Sequence, residues 1–128
     1  MNVLYIDDDP EDRELFSEAI HSVHEDIELM VFSGCAEVLQ YITSGPQVPE
    51  YIFMDMNMPK MRGFECARII RVNERMKTVP IIMMSSTFNP TVIKNFSGTD
   101  FRFKCKPNDF AGLQSLIRNI VGVTCLAV

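Results

Sequence analysis

The sequence predicts a three-layer, doubly wound α/β fold, in which helices cover both faces of a parallel five-stranded sheet. Short apolar runs alternate along the chain with stretches of helical periodicity, which is the pattern of successive βα units. The first run, Val3–Ile6, is apolar throughout, as expected of a strand buried on both faces. The 128 residues make one domain of ordinary size.

Apolar spacing and turn residues define the first three βα units. Asp9 and Pro10 suit the N-cap and first position of a helix, which is predicted over 10–23. Ser33 is predicted to cap the second helix, and Gly45 with the following proline ends it. A third helix follows the third strand. The three strands are predicted at Val3–Ile6, Ile27–Phe32 and Tyr51–Met54.

The second half of the chain contains two more predicted strands, at Pro80–Met84 and Phe101–Cys105. Asn89 and the proline after it open a short fourth helix between them, which Gly98 ends. The last helix begins near Asn108. The fifth strand alternates apolar with basic residues, which is typical of an edge strand exposed on one side.

Composition excludes several classes of protein. The net charge of −5 argues against direct binding to nucleic acid. No apolar run approaches the ~18 residues of a membrane span, and the aspartates near the N-terminus do not fit a signal peptide. We therefore expect a cytoplasmic protein without a membrane segment. The cysteines form no CxxC pair and are expected to be reduced thiols. His21 and His24 are expected on a solvated helix face rather than at a metal.

Polar residues follow the predicted strands where each strand ends. These residues are Asp7 and Asp8, Asp55, Ser85, and Lys106. In a doubly wound sheet the carboxyl ends of the strands form the functional edge. Crowded carboxylates repel one another unless a proton or a hard cation neutralises them, and few carboxylates with a backbone carbonyl and several waters suit Mg²⁺. A hydroxyl and an ammonium beside that cation can cradle a phosphoryl group. The sequence therefore predicts a magnesium-dependent phosphoryl site at this edge.

Four segments carry a resemblance to the receiver domains of response regulators, which extends over nearly the whole chain. They are VLYIDDDP at 3–10, YIFMDMNMPKMRGFE at 51–65, PIIMMSS at 80–86 and CKP at 105–107. The most specific feature is the spacing Asp-x-x-Met-Pro-x-x-x-Gly from Asp55 to Gly63. The resemblance implies a flavodoxin-like sheet with strand order 2-1-3-4-5.

The resemblance also implies a role for each acidic position. Asp55 is the expected phospho-acceptor. Asp8 is expected to bind Mg²⁺ directly, together with Asp55 and the backbone carbonyl of Asn57, while Asp7 acts through water. Asn57 and Thr87 occupy positions where the family varies the side chains that set the lifetime of the phosphoryl group.

A second set of residues is implied to respond to phosphorylation. Ser85 is the expected switch hydroxyl, and Lys106 is expected to contact the phosphoryl group as a counter-charge. Phe103 occupies the position of the family's aromatic switch residue. Ser86 follows Ser85 where the family usually has alanine, so both hydroxyls are candidates.

These features predict a stand-alone receiver over residues 1–122 that accepts a phosphoryl group from a sensor histidine kinase or a histidine phosphotransfer protein. Without an output domain, it would signal by binding an effector protein around the fourth helix, the fifth strand and the last helix. We expect no enzymatic activity apart from its own phosphorylation and dephosphorylation. The rival hypothesis is a small Mg²⁺-dependent phosphohydrolase with Asp55 as nucleophile, but Asn57 leaves no second acid two residues later.

Residues 123–128 form an apolar tail without charge, where a soluble domain normally ends in polar residues. Two interpretations remain open. The tail either folds back onto the domain, or it contributes to a surface at which a second copy of the chain binds.

Overall fold

A computed structural model of the protein describes residues 1–45, 47–58, 61–86, 90, 94, 96 and 98–122. Its strands form one parallel sheet in the order β2-β1-β3-β4-β5, so the predicted fold class and strand order are confirmed. The strands are β1 (Asn2–Ile6), β2 (Glu28–Phe32), β3 (Tyr51–Asp55), β4 (Ile81–Ser85) and β5 (Arg102–Cys105). The helices are α1 (Pro10–Val23), α2 (Cys35–Ser44), α3 (Gly63–Val72) and α4 (Phe110–Val121), and a short 3-10 helix spans Glu74–Met76.

Two apolar cores lie on opposite faces of the sheet. Helices α2 and α3 pack on one face, where Val38 and Ile70 are fully buried. Helices α1 and α4 pack on the other, where Phe16 and Ile117 lie against the sheet. The central strands β1, β3 and β4 are buried almost throughout, which explains why their sequences are continuous apolar runs.

The helix starts agree with the sequence to within two residues, and one of the two predicted caps is wrong. Asp9 caps α1 by accepting the backbone N–H of Glu11, as predicted. The N-cap of α2 is Gly34 rather than Ser33, so that prediction is wrong by one residue. The Ser33 hydroxyl instead donates to the carboxylate of Glu37. Helix α4 begins at Phe110, two residues beyond the predicted start near Asn108, and Asp109 caps it by accepting the Gly112 N–H.

Strand β5 lies at the edge of the sheet, as its alternating sequence predicts. Arg102 and Lys104 are exposed, while Phe103 is half-buried. In the parallel register Ser85 pairs with Cys105. The next residue, Lys106, donates its backbone N–H to the Ser85 carbonyl over 2.7 Å, which fixes where its side chain begins.

Three predictions fall partly or wholly outside the described residues. Most of the fourth helix predicted from Asn89 lies there, as do Thr87 and the tail at 123–128. Within the described residues, no helix combines the length and the apolar character that a membrane crossing needs.

Two expectations about individual side chains are wrong. Cys35 and Cys66 form a disulfide with a Cα–Cα distance of 5.8 Å, because α2 and α3 lie side by side on one face of the sheet. The exposed Cys105 is a free thiol, as predicted. The ring nitrogens of His21 lie 2.8 and 3.0 Å from the carbonyl oxygens of Ser17 and Ile27, so its ring is tied to the backbone rather than solvated.

Candidate functional site

Three carboxylates converge at the carboxyl edge of the sheet. Strands β1 and β3 are neighbours in parallel register, with Ile6 opposite Met54, so their ends meet at the same edge. Asp7, Asp8 and Asp55 each offer a carboxylate oxygen, and these three oxygens lie within 4.8 Å of one another. Asp7 and Asp55 are buried, while Asp8 is exposed. The predicted acidic cluster is therefore assembled by the adjacency of these two strands.

The carboxylate of Asp7 is fully buried and is hydrogen-bonded at both oxygens. Its Oδ2 accepts the hydroxyl of Tyr5 at 2.6 Å and the ammonium of Lys106 at 2.9 Å. Its Oδ1 accepts the backbone N–H of Asp9 at 3.0 Å. Burial and the hydrogen bond to Asp7 raise the pKa of Tyr5 above its usual value, so the hydroxyl stays protonated and donates.

Lys106 lies among three carboxylates. Its Nζ is 2.7 Å from Oδ2 of Asp12, 2.9 Å from Asp7 and 4.0 Å from Oδ1 of Asp55. Burial on its own would lower the pKa of Lys106, but the hydrogen bonds to Asp12 and Asp7 and the charge of Asp55 outweigh it and raise that pKa. The side chain is therefore a fixed positive charge at the edge of the acidic cluster.

Asp55 is the last residue of β3, and its negative charge has fewer neutralising contacts than that of Asp7. Burial raises the pKa of its carboxyl to about 6, and the charges of Asp7 and Asp8 act in the same direction. Lys106 and the backbone N–H of Asn57 oppose this shift without cancelling it. A negative charge on Asp55 is thus costly until another cation approaches.

Gly63 allows the loop after β3 to fold tightly against Asp55. A Cβ atom at position 63 would lie 2.5 Å from the backbone oxygen of Asp55 and 2.9 Å from Cα of Met56. The Gly63 N–H donates to the Met56 carbonyl over 3.1 Å, which closes the loop. The glycine of the Asp-x-x-Met-Pro-x-x-x-Gly spacing is therefore required by close backbone contact.

The two adjacent serines differ in exposure. Ser85 is the last residue of β4 and is buried, and its Oγ lies 3.2 Å from the amide Nδ2 of Asn57, which donates to it. Ser86 is exposed and lines a cleft that opens over the three carboxylates. The amide of Asn57 therefore connects the end of β3 with the end of β4.

An aromatic cluster joins α3 to β5. The ring of Phe103 meets Phe96 edge-on at 5.7 Å, and Phe96 stacks on Phe64 at 5.4 Å. Phe64 in turn meets Phe101 edge-on at 5.8 Å. Phe103 thus lies in a packed cluster that begins next to Gly63, at the start of α3.

A cleft of about 470 Å³ opens over the acidic cluster. Asp55, Lys106 and Ser86 line it, together with the apolar side chains of Leu15 and Leu113. A group that binds in this cleft therefore meets the three carboxylates and the ammonium at once.

The donor set fits a hard divalent cation. Among the described residues, three carboxylates within 4.8 Å of one another face the ammonium of Lys106, which leaves excess negative charge at the cluster. Oxygen ligands of this number, with one carboxylate exposed to water, suit Mg²⁺, which keeps part of its hydration shell.

A family model described as the response regulator receiver domain matches residues 3–118. The chain belongs to the response regulator receiver family. The two-component response regulator ORR11 of Oryza sativa subsp. indica is 30% identical over 120 residues, which cover 91% of this chain and 80% of that protein. Receiver relatives of this kind are two-component response regulators, and phospho-accepting signalling fits the acidic cluster of this chain.

Solved receivers share the fold. The phosphorylated cyanobacterial phytochrome response regulator RcpA has a TM-score of 0.81 at 20% identity, covering 93% of this chain and 89% of its own. The Mn²⁺-bound form of response regulator Rcp1 has a TM-score of 0.79 at 19% identity, covering 99% of this chain and 97% of its own. This receiver chain spans between 11% and 48% of the length of four other curated relatives that it matches.

The receiver site contains most of the residues that the sequence singles out. The structure brings together four of them, namely Asp7, Asp8, Asp55 and Lys106. Ser85 lies at the next strand end, where its hydroxyl accepts a hydrogen bond from the side chain of Asn57. Sequence reasoning missed Tyr5 and Asp12, which hold Asp7 and Lys106. The i, i+2 spacing of Tyr5 and Asp7 places both on one face of β1 and is a signal for the first contact. Asp12 in the first turn of α1 carries no comparable signal.

Proposed function

We propose that this receiver accepts a phosphoryl group on Asp55 from the phosphohistidine of a sensor histidine kinase or a histidine phosphotransfer protein. The observation that carries the proposal is the contrast within the acidic cluster. Asp7 has three hydrogen-bond donors, whereas Asp55 has the backbone N–H of Asn57, an ammonium at 4.0 Å and a raised pKa of about 6. The under-compensated carboxylate at the end of the central strand is the better nucleophile.

The transfer is an in-line displacement at phosphorus. An oxygen of the Asp55 carboxylate forms the new O–P bond as the N–P bond of phosphohistidine breaks. The donor imidazole leaves with the electron pair and takes up a proton. Lys106 already lies beside Asp55 and would donate to a phosphoryl oxygen, which offsets charge in the transition state.

Asp8 and Asp55, with Asp7 through water and the backbone carbonyl of Asn57, are the proposed ligands of Mg²⁺. When bound, the ion would neutralise charge on the carboxylates and the phosphoryl oxygens. Support comes from the three oxygens within 4.8 Å of one another and from the excess of negative charge around them. The Mn²⁺ of Rcp1 is bound by a protein with this fold.

Ser85 and Phe103 are the proposed switch residues. For Ser85 to respond to a phosphoryl group on Asp55, its hydroxyl must donate to a phosphoryl oxygen, and its Oγ can still accept the amide N–H of Asn57 while it does so. Ser85 pairs with Cys105 and the adjacent pair is Met84 with Lys104, so a shift at the end of β4 is transmitted to β5. Phe103 would then repack within its aromatic cluster and change the surface that an effector protein recognises.

The proposed partners follow from this chemistry. One is the phosphohistidine protein that donates the phosphoryl group, and the other is an effector that binds the surface around β5, α4 and the region before β5. A histidine kinase draws its phosphoryl group from ATP, so the exchange is proposed to take place in the cytoplasm. Residues 1–122 are the proposed receiver, and a second copy of the chain is a further candidate partner.

Incubation with a small phosphodonor and Mg²⁺ tests the proposed function. We expect wild-type protein to gain one acid-stable, base-labile acyl phosphate per chain, and Asp55→Asn to gain none. Asp26→Asn is the matched control, because it removes an exposed carboxylate far from the cleft in sequence. Uptake by Asp55→Asn equal to that of the wild type would overturn the assignment.

The phosphohydrolase alternative is distinguished by turnover. The receiver family consists of signalling domains rather than metabolic enzymes. We propose that the chemistry of this chain is limited to phosphorylation and hydrolysis of its own Asp55. Repeated turnover of a small phosphomonoester, at many molecules per chain, would favour the enzyme instead.

A further inference from the structure

Lys106 has a third carboxylate partner that the proposed phosphoryl chemistry does not use. Among the carboxylates of the described residues, Asp7, Asp12 and Asp55 lie within 4.0 Å of its Nζ. The shortest of these contacts, 2.7 Å, goes to Asp12 rather than to either buried carboxylate. The ammonium donates to Asp12 and Asp7, so these two carboxylates set its position and leave Asp55 at 4.0 Å, beyond hydrogen-bond distance.

The position of Asp12 is set by the start of α1. Asp9 caps this helix by accepting the N–H of Glu11, and Asp12 lies in the first turn that follows. The side chain of Asp12 is 36% exposed and lines the acidic cleft on the side of α1. The contact therefore draws Lys106 toward α1 and away from the end of β3, where the phosphoryl group would lie.

We infer that Asp12 is a positioning residue that holds Lys106 off Asp55 until a phosphoryl group arrives. This inference rests on the proposed function, in which Lys106 contacts the phosphoryl group. Asp12 itself touches neither the phosphorus nor the nucleophile. It competes for the ammonium and keeps the carboxylates of Asp55 and Asp8 open to a cation.

Removing this competition should weaken the binding of Mg²⁺ and strengthen the binding of an anionic phosphodonor. In Asp12→Asn the ammonium of Lys106 loses its closest anionic partner and turns to Asp7 and Asp55. There it competes with Mg²⁺, so the affinity for Mg²⁺ falls. A small anionic phosphodonor meets one negative charge fewer and a better-placed ammonium, so its KM at saturating Mg²⁺ also falls, with little change in kcat. We expect each change to be about three- to tenfold.

Glu11→Gln is the matched control. Glu11 lies in the same first turn, carries the same charge and is exposed, and it is not one of the three carboxylates near Lys106. Its removal changes the net charge and the interaction with the helix dipole in the same way. Any effect of Asp12→Asn beyond that of Glu11→Gln therefore reports the carboxylate at the cleft and its contact with Lys106, rather than the net charge of the first turn.

The test measures Mg²⁺ affinity by NMR titration without phosphodonor, and then KM and kcat for acetyl phosphate. The inference is supported if Asp12→Asn weakens Mg²⁺ binding and lowers KM at least threefold relative to Glu11→Gln, and if Asp12→Glu restores both values. Equal behaviour of Asp12→Asn and Glu11→Gln in the Mg²⁺ titration overturns it, even if the melting temperature falls. Absence of phosphorylation in the wild type would overturn the proposed function instead, while the Mg²⁺ titration still decides the role of Asp12.

Discussion

The ends of β1 and β3 place two buried carboxylates side by side, but the two have different hydrogen-bond partners. Asp7, after β1, accepts hydrogen bonds from a tyrosine hydroxyl, an ammonium and a backbone N–H. Asp55, at the end of β3, has an ammonium at 4.0 Å and a pKa raised to about 6. Two buried carboxylates of one cluster thus have different surroundings, and the smaller number of donors around Asp55 fits its proposed role as the nucleophile.

Loss of Lys106 should have the largest effect, because both carboxylates depend on it. Lys106→Ala leaves the buried charge of Asp7 without its cation, so we expect the free energy of unfolding without divalent ions to fall by about 3–5 kcal/mol. Phosphorylation of Asp55 should also fall strongly. Lys104→Ala is the matched control on the same edge strand, since Lys104 is exposed. Chemical denaturation measures both variants, and equal losses for the two would refute the special place of Lys106.

The raised pKa of Asp55 predicts a pH dependence of stability. The folded pKa of about 6 lies above the ordinary 3.8, so the folded state holds a proton that the unfolded state releases between these values. The free energy of unfolding should therefore fall by about 3 kcal/mol from this group as the pH rises from about 4 to above 6. Asp55→Asn should remove that part of the slope and be the more stable protein at neutral pH.

Denaturation of wild type and Asp55→Asn at several pH values, without divalent ions, measures this difference. Asp26→Asn again provides a control, because it removes an exposed carboxylate. A difference between wild type and Asp55→Asn that does not change with pH would mean that Asp55 is as well compensated as Asp7.

A variant at Asp8 extends the comparison of Asp7 with Asp55, since Asp8 is the exposed carboxylate of the cluster. Asp8→Asn should weaken Mg²⁺ binding by about tenfold or more without unfolding the protein. It should also stabilise the metal-free form slightly, because it relieves repulsion among the carboxylates. Asp9→Asn is the control, since an asparagine oxygen can still accept the Glu11 N–H that Asp9 accepts. Isothermal titration gives both affinities, and equal values would exclude Asp8 as a ligand.

Ser85 should affect phosphorylation least. Ser85→Ala should take up phosphate within about twofold of the wild-type rate, because the proposed role of the hydroxyl follows the transfer. The NMR shifts that phosphorylation induces around Phe103 should disappear in this variant and persist in Ser86→Ala. If the shifts persist in Ser85→Ala and vanish in Ser86→Ala, the exposed serine is the switch.

The positions of the carboxylates could be predicted from the sequence, but several of the contacts that distinguish them could not. Apolar runs and cap residues placed the strand ends, and the parallel order then brought Asp7, Asp8 and Asp55 to one edge. Of the contacts that distinguish the carboxylates, those of Lys106 join distant parts of the chain and have no local signature, whereas those of Tyr5 and Asp9 with Asp7 lie within two residues. The bond between Asp12 and Lys106 joins residues 94 positions apart. The pairing of Cys35 with Cys66 was missed for the same reason, because it depends on how α2 and α3 pack.

The location of the acyl phosphate tests most directly whether Asp55, rather than Asp7 or Asp8, is the reactive carboxylate. Phosphorylated protein is reduced with borohydride, which converts the acyl phosphate into homoserine, and the modified residue is then located by peptide mass spectrometry. We predict homoserine at position 55 and unmodified aspartate at positions 7 and 8. Homoserine at position 7 or 8, with an intact Asp55, would contradict the account.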